Sequence, residues 1–221
     1  MAGYGKAKGE YVVGCHSFTR DQGEEGYFLI SAHILLVHGH IMPLTTRLLA
    51  LSAQVPVSPL FRDILRSLLQ RLQRGLPGLD SDDRMGVYEE RNHIYLAALA
   101  QRDLLYQTIA VALEKHHLAH GADPRPALRI LQLDRALCPR SGSEHTMRQD
   151  FGFPARAAFS ALSAMELPGE PTQHNGEETL EIHHPGGIGD ILHVADGGSW
   201  LRGIITDQAD KASEVQYVAI A

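Results

Sequence analysis

Ser58-Pro59-Leu60-Phe61-Arg62-Asp63-Ile64-Leu65-Arg66-Ser67-Leu68-Leu69-Gln70-Arg71-Leu72 reads as an amphipathic helix along its whole length. Ser58 offers an N-cap oxygen, Pro59 suits the first helical position because its missing N–H has no acceptor there, and Gly75 marks the stop. Leu60, Phe61, Ile64, Leu65, Leu68, Leu69 and Leu72 recur at three- and four-residue steps, so one face requires an apolar partner surface. The other face carries Arg62, Arg66, Arg71 and Arg74 against Asp63, and reads as a solvated basic face complementing the helix C-terminus.

Helical signals continue on both sides. Upstream, Thr19 and Gln22 have capping-box spacing and open a helix over 20–40, with Tyr27, Ile30, Ile34 and Val37 as its expected buried stripe. Pro43 predicts a break near Met42, after which Leu44, Leu48, Leu49 and Leu51 resume a helix that stops before Val55-Pro56. Downstream, residues 76–86 form a turn-rich connector, and one long helix is expected over 87–120 with Ile94, Leu99, Leu105, Ile109 and Leu113 inward. Gly121 ends it; Asp123 and Pro124 begin another, carrying Leu128, Ile130, Leu131, Leu133 and Leu137 up to Pro139.

Beyond Pro139 the pattern changes. Residues 140–150 are polar and read as irregular, 154–165 as a helix, and 180–183, 191–194, 200–206 and 215–219 as short strands. The segment Pro185-Gly186-Gly187-Ile188-Gly189-Asp190 reads as a turn, because its glycine spacing fits no phosphate-binding motif and no helix follows it. The expected fold is therefore mainly α: a helical bundle-like body over 1–139, then an irregular and helical linker with a small C-terminal antiparallel β appendage over 140–221.

Composition narrows the function. The chain has 221 residues, 44% apolar and 21% charged, with a net charge of −6, which fits a globular protein and argues against a dedicated nucleic-acid binder. Residues 1–110 balance 11 basic against 11 acidic side chains, whereas 111–221 hold 9 and 15, so the acidity lies in the second half. The two cysteines, Cys15 and Cys138, have no metal-ligand or disulfide-framework spacing, which fits a reducing, cytoplasmic setting. Neither an export signal nor a membrane span is expected.

Histidine is over-used, with 13 copies. His116 and His120 sit at i and i+4 on a helix, a spacing that can aim two imidazoles at one metal, with Glu114 nearby; a helix-end pair interacting with the helix dipole is the plainer account. On an α-helix His33 and His40 share a face and His38 lies well away, and Gly39 would let a ligand approach the backbone. Residues 88–93 crowd polar groups at a helix start and read as salt-bridged. No nucleophile-elbow or Walker motif occurs.

The run Glu10-Tyr11-Val12-Val13-Gly14, then Ser17-Phe18-Thr19-Arg20-Asp21, then a helix ending at His38-Gly39-His40, then a leucine-rich helix containing Phe61-Arg62-Asp63, resembles the region C-terminal to the barrel in cobalamin-binding radical SAM enzymes. The order of residues 88–105 and 128–139 is similar too, and the resemblance spans about two thirds of the chain. It implies an accessory domain that is catalytically silent alone. A complete enzyme of this kind uses S-adenosylmethionine, a [4Fe–4S] cluster and cobalamin for methyl transfer or radical modification of a small molecule or peptide. The radical SAM and cobalamin domains would belong to a partner chain or a missing N-terminal region. On that reading His33, His38, His40 and Tyr95 are candidates for the substrate or cofactor side, and this chain itself holds no cofactor and no catalytic residue. The competing reading is an independent helical protein that binds a small ligand or a metal between its helices. A third, a self-contained metal enzyme, would need His116, His120 and a carboxylate to converge.

Overall fold

Thr19 opens the first helix as the sequence predicts. Its Oγ1 accepts from the Gln22 N–H at 3.3 Å while its own N–H donates to Gln22 Oε1 at 2.9 Å, the reciprocal pair of a capping box. In the computed structural model the described residues are 15, 17–72, 79–80, 82–138, 145–169 and 178–184, with backbone alone over 216–220. Helix α1 (Arg20–His33) passes directly into a π-helical turn, Ile34–His38, in place of the uninterrupted helix expected to His40. Its buried face also differs from the expected stripe: Phe28, Ser31, Ala32, Leu35 and Leu36 point inward and Ile30 is 46% exposed. Ser31 and Ala32 are small, so neighbouring helices approach closest there, a preference that a search for large apolar residues misses.

Helix α2 (Pro43–Ser52) follows the predicted break at Met42. Helix α3 (Val57–Leu72) buries all seven of its apolar residues; it starts one residue before Ser58, which therefore lies inside the first turn instead of capping it. The long helix expected over 87–120 is three: α4 (Arg84–Glu89), α5 (Arg91–Ala100) and α6 (Arg102–Ala119), broken at Glu90 and Gln101. Each break redirects the chain. α4 packs on α1, α5 on α3 and α6, and α6 on α3 and α7, which one straight rod could not do. Asp123 Oδ1 accepts the Arg125 N–H at 3.0 Å, and α7 (Arg125–Leu137) ends just before Pro139.

Residues expected to be irregular contain a strand. β1 (His145–Phe151) pairs antiparallel with β2 (Glu178–His184), which pairs antiparallel with β3 (Gln216–Ile220), in the order β1-β2-β3. His145 lies opposite His184 and Phe151 opposite Glu178. β1 was hard to read because its inward residues include His145 and Gln149, so the alternation has little polarity contrast. Helix α8 (Ala155–Ser163) packs on α2, α7 and β2, and Phe151, Phe153, Leu162, Leu180 and Ile182 join the same apolar core as α3 and α6. That core runs across the boundary expected at 139/140. The expected strands at 191–194 and 200–206, the loop 185–190 and the extended piece 10–14 lie outside the described residues. The architecture is thus mainly α with a small antiparallel sheet. Among the described residues no single helix is long and apolar enough to cross a membrane.

Candidate functional site

The π turn builds the site. An α-helix turns about 100° per residue, which would put His33 and His38 roughly 140° apart. Here the Gly39 N–H donates to the Ile34 carbonyl five residues back at 2.8 Å, and the extra residue in that turn swings His38 round. The His33 and His38 rings come to 5.1 Å between centroids, nearly perpendicular at 76°, both exposed. His33 also lies 6.3 Å from the Phe61 ring. His40 follows with φ 54°, a left-handed conformation that turns the chain sharply toward α2 and is strained for a residue with a side chain.

Buried hydroxyls fasten the end of this turn to the core, and a buried carboxylate holds the start of α2. The Tyr95 hydroxyl on α5 donates to the Gly39 carbonyl at 3.1 Å, and the Tyr106 hydroxyl on α6 donates to the Ile41 carbonyl at 2.7 Å. Asp134 on α7 accepts from the Leu44 N–H at 3.0 Å, the Thr45 N–H at 2.8 Å and the Thr45 hydroxyl at 2.7 Å, capping α2 from across the core. Burial pushes the Tyr95 and Tyr106 hydroxyls well above their ordinary range, so both stay protonated and donating. Changing Tyr106 to Phe removes the donor to Ile41 and is expected to cost about 1 kcal/mol in urea-monitored unfolding; an unchanged midpoint would mean the bond contributes nothing.

Burial lowers two of the site histidines. Desolvation first, then the charge of His38, holds His33 below the usual histidine value. His40 is lowered by burial, then by His38 and Arg47. At neutral pH both rings therefore carry a free lone pair, the form that accepts a hydrogen bond or a metal. Of the residues named from the sequence, His33 and His38 meet on the surface, while Tyr95 is buried and holds the Gly39 carbonyl next to His40.

His116 and His120 are not brought together in that way. His116 is buried, with Nε2 at 3.0 Å from Asp63 Oδ2, and His120 Nδ1–H donates to the His116 carbonyl at 2.8 Å. Lys115 Nζ sits 2.9 Å from the same Asp63 oxygen, and its hydrogen bond, ahead of that from His116, holds the Asp63 carboxyl below the usual range. Among the described residues no group of three His, Cys, Asp or Glu side chains is arranged to hold a metal. The Phe61-Arg62-Asp63 stretch is a tie in the fold: Arg62 Nε pairs with Glu25 at 2.5 Å, joining α3 to α1, while Asp63 joins α3 to α6.

A second concavity lies beside α1, α3 and the start of α4. It encloses about 350 Å³ lined by Asp21, Glu24, Phe28, Arg66, Asp82 and Arg84. Arg84 pairs with Asp21 at 2.6 Å and Glu25 at 3.3 Å, whereas Arg66 forms no ion pair among the described residues and its guanidinium lies 5.8 Å from the Phe28 ring centroid. Sequence patterning gave no hint of this cleft, because its residues come from three separate segments.

The group implied by the family resemblance can be tested on the cysteines. A [4Fe–4S] cluster takes three or four thiolates, and this chain has two cysteines in all, Cys15 exposed and Cys138 buried. Burial raises the Cys138 thiol, against the thiolate form a cluster requires. The residues present do not fit such a cluster. Comparison of the chain with protein-family models, with curated proteins and with solved structures found no match.

Proposed function

We propose that this chain is a helical accessory domain for a cobalamin-dependent radical SAM enzyme, cytoplasmic, and silent until a barrel-bearing partner chain supplies the cluster, S-adenosylmethionine and cobalamin. Its part is to shape the substrate side, where a small molecule or peptide would meet the histidine edge. The observation that carries this reading is the exposed His33–His38 pair beside a turn whose Gly39 and Ile41 carbonyls are held by hydroxyls from two core helices. Mounting exposed imidazoles on a braced turn suits recognition, because little backbone freedom is lost on contact. The test is anaerobic capture from source cells on the tagged chain, followed by cobalamin and iron analysis and sequencing of what is retained. The expected partner carries a C-x3-C-x2-C run and bound cobalamin. A monodisperse chain that retains no cobalamin-bearing polypeptide overturns the reading.

A second reading, an independent small-ligand-binding protein, is favoured by the 350 Å³ cleft. Arg66 would take a carboxylate, and Asp82 and Glu24 an ammonium, so the ligand class is zwitterionic. Titration calorimetry with free amino acids, on wild type and Arg66→Gln, separates the two readings: binding lost in the variant supports this one, and no heat with any amino acid removes it.

A further inference from the structure

We infer that the His33–His38 pair is a two-imidazole site for a borderline divalent transition ion of the Zn2+ or Ni2+ class, with water completing the coordination. Two imidazoles on one tetrahedral ion, with nitrogen–metal bonds of about 2.1 Å, place their ring centroids about 5 Å apart. The pair stands at 5.1 Å. Other histidines have a ring nitrogen committed to the protein: His93 to Glu90, His116 to Asp63, His117 to the Leu113 carbonyl and His120 to the His116 carbonyl. His33 and His38 contact each other but neither ring forms a hydrogen bond among the described residues. Both are exposed, so ion and water reach them freely.

The arrangement depends on the π turn, because the same two residues on an α-helix would diverge. π turns concentrate at functional sites, and this one is held by the Gly39–Ile34 backbone bond and by the Tyr95 hydroxyl on the Gly39 carbonyl. The imidazoles are therefore presented on a braced backbone, which limits the entropy lost when an ion joins them. The pair belongs to the same histidine edge as the proposed recognition surface, but taking up the ion requires no partner chain.

The test is calorimetric titration of ZnCl2 into the purified chain in a non-coordinating buffer, with wild type, His33→Gln, His38→Gln and, as control, His120→Gln. Wild type is expected to take up one ion at this site, both His33→Gln and His38→Gln to weaken it by at least about tenfold, and His120→Gln to leave it unchanged. Matching far-UV circular dichroism shows that these exposed substitutions leave the helices intact. The inference is overturned if wild type takes up no zinc below about 1 mM, or if either His33→Gln or His38→Gln binds as wild type does.

Discussion

Asp134→Ala is expected to lower the unfolding free energy by about 3 to 5 kcal/mol, a large share of what a domain of this size has. The carboxylate is fully buried and accepts three hydrogen bonds, from the Leu44 N–H, the Thr45 N–H and the Thr45 hydroxyl. Alanine leaves all three donors in the core without a partner, and each such orphan costs about 1 to 3 kcal/mol. Asp134→Asn keeps one acceptor oxygen and is expected to fall between the two. Urea denaturation decides it: a loss below about 1 kcal/mol for the alanine variant would mean that water replaces the cap.

The same residue carries a pH signature. Burial outweighs its three donors and raises the Asp134 carboxyl to about 7. An unfolded aspartate titrates near 4, so the folded state favours the protonated form. The stability this contributes is complete below about pH 4 and is lost as pH rises through about 7. Between pH 5 and pH 8 the wild-type chain is therefore expected to lose more stability than Asp134→Asn, which has no proton to release there. Equal slopes for the two proteins would place the Asp134 carboxyl back in the ordinary range.

Asp134 also shows where sequence reading stops. The leucines of α3 and α7 repeat at helical spacing, so the helices and their inward faces follow from period alone. Asp134 sits inside that apolar pattern as a single charged residue, and its partner Thr45 is 89 positions away. No local signal joins them. The breaks at Glu90 and Gln101 escape for a related reason: neither is a glycine or proline, and both are set by which neighbour each helix packs against. β1 was missed because its pattern is nearly all polar.

The geometry of the histidine pair does not follow from the sequence. His33, His38, His40 and Tyr95 were all singled out from the sequence, yet helical arithmetic placed His38 away from His33. That arithmetic assumes 3.6 residues per turn, and one added residue reverses its conclusion. Nothing in Ile34-Leu35-Leu36-Val37 distinguishes a π turn from an α turn. The contacts that accompany the turn are tertiary: the Tyr95 and Tyr106 hydroxyls, from distant segments, hold the Gly39 and Ile41 carbonyls just after it.

Gly39→Ala is expected to destabilise the chain by about 2 to 4 kcal/mol and to disturb the histidine pair along with it. Gly39 is buried with φ −74°, so its role is space and not a left-handed backbone. A methyl group there would run into the Leu35 carbonyl oxygen and would stand 2.5 Å from Tyr95 Cε2. The ring can retreat, but the carbonyl belongs to the π turn and moves only if the turn does. The double variant Gly39→Ala, Tyr95→Leu is therefore expected to recover the ring share of the loss and not the backbone share, leaving a non-zero coupling in a double-mutant cycle. Zinc titration of the single variant reads the geometry directly: if the turn relaxes toward an α-helix, His38 swings off His33 and affinity falls. An alanine variant with wild-type stability and wild-type zinc binding would show that the turn yields without cost and that Gly39 does not hold it.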